Sequence, residues 1–216
     1  MKLFKKRKET NMKSQNYISI NGQKIEIPHD KLEEIKRALG VHKSTRLADK
    51  KVGETAKIGP YEFIVLEQSG DTTALILKEL FKENVKFGSN NDYRGSNVQK
   101  ICREFAKELE SIVGADNLIE HTVDLASDDG LKDYSTIKEN ASLLTTDLYR
   151  RYVDVLDMDR LDKYYWLATP YSTPRHEGTS WVKCVSPRGD INNDDCNYDF
   201  IGVRPFCILK SDIFVS

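Results

Sequence analysis

The sequence predicts an α+β protein, with a main domain of two main helices and short antiparallel strands preceded by a small β-hairpin plus helix. Three observations carry this. Near the C-terminus, residues 164–169, 181–185 and 202–209 are short runs rich in aromatic and β-branched side chains. Each is bounded by Pro, Gly, Ser or Asp, as strands joined by turns are. Between them and the N-terminus, Val98, Ile101, Cys102, Phe105, Leu109 and Ile112 recur at three and four residues, the period of one helical face. At the start, the alternating runs 17–20 and 23–27 flank Asn21-Gly22, a pair that tolerates the positive φ angles of a two-residue hairpin turn.

In chain order, residues 1–16 are expected to be a basic disordered tail, 17–41 the hairpin and helix, 42–51 a polar linker, and 52–216 the main domain. The tail has a basic start with no apolar stretch after it, so a solvated segment is expected and not a secretory signal. Asp30 is placed to cap a helix carrying Leu32, Ile35 and Leu39, which Gly40 stops. Hairpin and helix bury too little to stand alone, so they are expected to pack on the main domain or on another chain.

The main domain opens with a β-meander over 57–77, turned at Gly59-Pro60 and at Ser69-Gly70-Asp71. Its nearly continuous apolar runs imply strands buried on both faces. Ser96 and Gln99 form a capping-box pattern ahead of the helical stripe, and Gly114 ends it. Residues 118–125 predict another strand. Asp128, Asp129 and Asp133 predict turn chemistry rather than a calcium loop, because the alternating ligands and terminal Glu of such a loop are missing. Thr145-Thr146 is expected to cap a second main helix running through Leu148, Tyr149, Tyr152, Val155 and Leu156.

With 33 Lys plus Arg against 34 Asp plus Glu, the chain has no global electrostatic pull toward nucleic acid or anionic membrane. No apolar run approaches the roughly 18 residues of a membrane span. A soluble protein is therefore expected, with no nucleic-acid partner. Cys102, Cys184, Cys196 and Cys207 form no C-x-x-C pair, and His29, His42, His121 and His176 are scattered singly, so neither metal nor cofactor is expected. Cys196, on a polar loop, is the expected reactive thiol. Arg204 is expected to be paired inside the domain, with Trp166 and Trp181 in the core.

Several of these segments together resemble an uncharacterised family of bacterial and prophage proteins related to the C-type lectin-like fold. They are the 59–66 strand, the 96–109 helix, Asp129-Gly130, Leu143-Leu144-Thr145-Thr146, Tyr165-Trp166-Leu167-Ala168-Thr169 and Gly202-Val203-Arg204-Pro205-Phe206. The match runs from about Val52 to the end of the chain. The order of the last three strands is also similar to the closing strands of formylglycine-generating enzymes and of variable proteins from diversity-generating retroelements. The resemblance implies a C-type lectin-like main domain. The paired thiols of the enzyme branch and the Glu-Pro-Asn, Gln-Pro-Asp and Trp-Asn-Asp calcium motifs of the sugar-binding branch do not occur here.

A non-enzymatic ligand- or protein-binding module follows as the leading expectation, with a protein or a saccharide as its target. Recognition is assigned to the 186–201 loop, through Asn192, Asn193, Asp194, Asp195, Asn197, Tyr198 and Asp199, whose side chains supply hydrogen bonds and a stacking surface. Arg175 and His176, between Pro174 and Gly178, are expected to border that site. Two alternatives stand beside it: an oxidase-like enzyme using Cys196, and a structural virion or assembly component that oligomerises through the N-terminal hairpin and helix. A cytoplasmic protein, or one incorporated in a phage particle, is expected. Residues 188–207 lack Lys, Glu, Gln, Met and Trp, a composition compatible with adenine-directed diversification of Asn codons.

Overall fold

A computed structural model describes residues 17–20, 23–28, 31, 34–35 and 45–216, which fall into two units, 1–44 and 45–216. In the first unit, β1 (Tyr17–Ile20) and β2 (Gln23–Glu26) pair antiparallel from Tyr17↔Glu26 to Ile20↔Gln23, the register a two-residue turn imposes. The basic tail, Asn21-Gly22 and most of the expected 30–40 helix lie outside the described residues.

The second unit begins seven residues earlier than the expected main domain. Residues 45–51 are not a linker: β3 (Thr45–Arg46) pairs with β15 (Phe214–Val215), and Leu47 is fully buried. The amide of Leu47 donates to Ile213 O and that of Ala48 to Ser211 O, while Gln68 Nε2 donates to the carbonyls of Leu47 and Lys50. One apolar side chain among polar neighbours gives no periodic signal, yet it fastens one end of the unit to the other.

A six-stranded sheet forms the centre. Its strands are β4 (Thr55–Ile58), β5 (Tyr61–Ser69), β6 (Thr72–Leu77), β7 (Leu118–Ile119), β10 (Ala141–Ser142) and β14 (Phe206–Lys210). The order is β10-β14-β6-β5-β4, with β7 also on the outer edge of β14. Successive residues serve different cores, as the pleat requires. Phe63, Val65, Leu75 and Leu77 meet Phe105 and Leu109 of helix α1 (Asn97–Val113), while Ile64, Leu66 and Ile76 meet Tyr149, Leu156, Leu167 and Val185 on the opposite face. Ser96 caps α1 by accepting the amide of Gln99 at 3.1 Å, and Gly114, at φ 87°, ends it.

The outer edge of β14 has an unusual construction. Leu118 and Ile119 pair with Leu209 and Ile208, and Ala141 and Ser142 continue the same edge opposite Cys207 and Phe206. Between these two short strands the chain leaves as a ribbon, β8 (His121–Asp124) and β9 (Thr136–Glu139), and returns. The ribbon's base is fixed by buried Glu139, which accepts from Gln99 Nε2 at 2.6 Å and from Arg103 Nη2 at 2.7 Å, and by His121 Nε2 against Ser142 Oγ at 2.9 Å.

The structure corrects the expected fold class. With 34% of residues in strands, the protein is mostly β-sheet, and of three helices among the described residues only α1 reaches seven residues. The second main helix is two six-residue pieces, α2 (Thr146–Arg151) and α3 (Val153–Met158). Thr145 does cap α2, accepting from Leu148 N. The break falls at Tyr152 (φ −107°, ψ 12°), whose amide is shared between Leu148 O and Tyr149 O and whose hydroxyl donates to Glu67 at 2.6 Å. Anchored to the sheet in this way, and followed by Val153, Asp154, Val155, Asp157 and Asp159, all modest helix formers, the segment does not continue as one helix. The expectation of an α+β domain with two main helices falls with it.

A separate three-stranded sheet, β11 (Tyr165–Pro170), β12 (Trp181–Val185) and β13 (Ile191–Asp195), carries the third core around Trp166, Val182, Cys184 and Val203. Trp166 is fully buried and donates Nε1–H to Val85 O at 2.8 Å. Trp181, expected in the core, is 43% exposed, because it lies on the sheet face opposite Val182 and Cys184, whose side chains enter the core. Residues 201–205 join the two sheets. Gly202 pairs with Tyr164 and Trp166 on one side, Val203 with Phe81 and Lys82, and Pro205 O accepts from Leu77 N. A Cβ at Gly202 would lie 2.4 Å from Leu80 Cδ1, so a side chain there requires Leu80 to move.

Candidate functional site

The segment expected to be a long recognition loop is mostly a β-ribbon. β12 and β13 pair without a slip from Trp181↔Asp195 to Val185↔Ile191, and the connection between them is a tight turn closed by Gly189 at φ 86°. Within 186–201, the turn 186–190 and the stretch 196–201 lie outside the sheet, and 191–195 is strand. Consecutive strand residues point to opposite faces, so Asn192 and Asp194 lie on the side of Cys184 and Val182, and Asn193 and Asp195 on the side of Lys183 and Trp181. The four side chains therefore cannot converge on one cation. Asn192, Asn193, Asn197, Tyr198 and Asp199 are exposed, while Asp194 and Asp195 are half-buried. Burial raises the Asp194 carboxyl above its ordinary range.

Beyond β13, Asn197 donates through both its amide and its side chain to Asp195 Oδ1, at 2.9 and 3.0 Å, which fixes the turn. Tyr198 and Phe200 then project outward, 48% and 51% exposed, with ring centroids 5.6 Å apart. Phe200 stands edge-on to Tyr164 at 5.9 Å. Cys196, expected on the surface, is buried, and burial followed by the charge of Asp195 raises its thiol pKa. A reactive cysteine needs the opposite environment.

Arg175 and His176 do not face this ribbon as free side chains. They close onto the 127–133 turn, Arg175 on Asp133 and His176 Nδ1 on Asp129 Oδ2 at 3.0 Å. Asp129 also accepts from Ser127 Oγ and from Ser172 Oγ, the latter at 2.7 Å, and Asp133 from Thr173 Oγ1 at 2.6 Å. Ser, His and Asp meet here, but both serine protons go to the carboxylate and, among the described residues, neither serine bonds the histidine. The knot orders two loops and activates no hydroxyl.

The Ser127 hydroxyl, then Ser172, then His176 hold the Asp129 carboxyl well below its ordinary value. A depressed carboxylate stabilises the fold above the unfolded-state pKa of about 3.9, and that contribution is lost as pH falls toward the folded-state value. Asp129→Asn is accordingly expected to be less stable than wild type at pH 7, with the gap in urea midpoint shrinking once the pH drops below about 4. A gap that stays constant down to acid unfolding would refute this.

Two residues that hold this region together, Asn91 and Lys183, belong to no motif in the sequence. Asn91, fully buried, donates Nδ2–H to the carbonyls of Ser172 (2.9 Å), Gly178 (2.9 Å) and Trp181 (3.1 Å) and accepts from Tyr134 OH at 2.8 Å. Lys183 reaches Asp128 Oδ2 at 3.2 Å and lies over the Tyr171 ring at 5.7 Å. A lysine in the middle of the apolar run 181–185 was the one available signal. Among the described residues, no group of three or more His, Cys, Asp or Glu is placed to hold a metal ion, and no helix is long and apolar enough to cross a membrane. Compared with family models, curated proteins and solved structures, the chain matches none.

Proposed function

We propose that the chain is a non-enzymatic recognition module that binds a protein partner through the surface of residues 192–200. The observation that carries this reading is the pair Tyr198 and Phe200, half exposed at the end of a ribbon whose backbone is fixed by pairing and by the Asp195–Asn197 turn. Aromatic side chains on a rigid frame offer large contact area at low entropic cost, and the exposed Asn192, Asn193 and Asn197 supply adaptable hydrogen bonds beside them. The buried Cys196 thiol and the serines bound to Asp129 support a binding role over an oxidase or hydrolase role. A bacterial or prophage origin, and with it a cytoplasmic or phage-particle location, rests on the order of sequence motifs alone.

A photo-cross-linking residue placed at position 198 or 193 in the producing cell is expected to trap an adduct of discrete mass. The same residue at the exposed position 104 on α1 should trap none, and Phe200→Ala should diminish the adduct from 198 without lowering the melting temperature. Absence of adducts at 198 and 193, or identical adducts from 104, would refute the reading.

A further inference from the structure

The margins of the two larger sheets are closed in different ways, and one is left open. The six-stranded sheet ends on one side in the two-residue strands β7 and β10, and on the other β4 exchanges both backbone bonds of Lys57 with Ser216. β11 has its outer edge covered by loops: Trp166 N–H donates to Gly202 O at 3.0 Å, Ala168 N–H to Leu144 O at 2.8 Å, and Pro170 O accepts from Asp128 N–H at 2.9 Å. The outer edge of β13 has no such cover among the described residues.

The register shows which groups face that edge. In an antiparallel ladder, opposed residues alternate between pairs that exchange both bonds and pairs whose N–H and C=O point away. Cys196 N–H donates to Ser180 O at 2.7 Å and Ser186 N–H to Asp190 O at 3.0 Å, so Asn192 and Asp194, in phase with these ends, bond to β12. Ile191, Asn193 and Asp195 aim outward. Asp195 is closed locally, its N–H donating to Asp194 Oδ1 at 3.2 Å and its carbonyl accepting from Tyr198 N–H at 2.9 Å. The N–H and C=O of Ile191 and Asn193 have no partner among the described residues, and such a row is a template for an added strand.

Charge selects what can lie on it. Residues 189–203 contain four aspartates and no Lys, Arg or His. Arg188 is taken by Asp190 at 3.2 Å, and Lys183 turns to Asp128 and the Tyr171 ring, which leaves Asp194, Asp195 and Asp199 without a cation among the described residues. A second copy pairing edge to edge would bring two such clusters together, so the carboxylates oppose self-association and favour a basic chain. We infer that the partner docks as an extended basic segment, which adds a strand to β13 by main-chain bonds to Ile191 and Asn193 and sets Lys or Arg beside Asp194 and Asp195. This rests on the protein-binding reading and gives the partner's segment its form and charge.

The test titrates the full chain with the end-capped peptide Lys-Thr-Lys-Val-Lys-Thr-Lys, followed by amide chemical shifts. Saturable shifts centred on the Ile191 and Asn193 amides are expected, and the peptide with Glu in place of every Lys should give none. Asn193→Pro removes an outward N–H while leaving the bonds to β12, so it should weaken binding at least about tenfold and lower the melting temperature by less than about 4 °C. Asn193→Ala, which keeps the main chain, should bind within about twofold of wild type. The double variant Asp194→Asn/Asp195→Asn keeps both acceptor oxygens and loses the charge; it should also bind more weakly, and it decides the matter if the proline variant does not fold. The inference is overturned if the basic peptide gives no saturable shifts, if the acidic one binds as tightly, or if either the folded proline variant or the double variant binds as wild type does. An adduct from position 198 that persists in Asn193→Pro would leave the protein-binding reading standing and remove the added strand, whereas complete absence of adducts would remove both.

Discussion

Asn91→Leu is expected to cost about 3–5 kcal/mol of stability, with the damage concentrated in residues 171–181. The side-chain amide serves three carbonyls of that segment and one tyrosine hydroxyl, and its backbone amide donates to a fourth carbonyl, that of Thr179. Leucine matches the volume and keeps the backbone bond to Thr179 O, but provides none of the side-chain bonds. Ser172 O and Tyr134 OH would then be buried without a partner, at about 1–3 kcal/mol each. At about 2–4 °C per kcal/mol for a unit of this size, the melting temperature should fall by about 10 °C. Hydrogen exchange separates this from general destabilisation: protection of the Tyr171 and Gly178 amides should be lost at denaturant concentrations where α1 is still protected. A fall in melting temperature of less than about 2 °C would show that the carbonyls find water or other donors.

Arg204→Met is expected to cost about 2–5 kcal/mol, because two carbonyls lose their charged donor. This guanidinium is buried, donates Nε–H to Leu77 O at 2.7 Å and Nη2–H to Lys78 O at 3.1 Å, and stacks over Tyr165 at 5.3 Å. Burial lowers its pKa, but an arginine remains charged, so the carbonyls and the ring face are what solvate it. Methionine fills the volume and removes the charge, yet leaves the end of β6 unbound where 201–205 crosses between sheets. Lysine should do no better, since a compact ammonium cannot address both carbonyls and the ring in one plane. Equal stability of Arg204→Lys and wild type in urea would contradict this account.

How far the sequence carries can be judged from these two positions. Arg204 stands out in an apolar strand, and its internal role was legible because a charge there needs partners. The meander, α1 with its Ser96 cap, the hairpin register and the burial of Trp166, Val182, Val203 and Phe206 were legible too, since each depends on local periodicity or turn chemistry. Asn91 was not legible. It sits in the polar run 89–92, where an asparagine is ordinary turn chemistry, and its four partners lie 43 to 90 residues away.

The same limit explains the recognition segment. Asparagine and aspartate are depleted in strands, so 191–195 looked like a loop, and only pairing with β12 makes it a strand. The 146–158 helix failed for a tertiary reason as well, the anchoring of Tyr152 to Glu67 across 85 residues.

The construction of the outer edge of β14 has a consequence for how this protein can change. Ile119 and Ala141 face consecutive residues of β14, Ile208 and Cys207, so the ribbon between them departs and returns at almost one point. An excursion whose two ends are neighbours behaves as a cassette. Its exposed side chains can be exchanged while the register of the sheet beneath stays fixed, whereas Val123, Leu125 and Tyr134 are core residues and must stay apolar or aromatic. Thr122, Asp124 and the whole 126–132 turn ride on that cassette, whereas Thr145, Thr146 and Thr169 belong to the host. The exposed tip can therefore vary, while buried Glu139 and His121 at its base hold the excursion to the sheet.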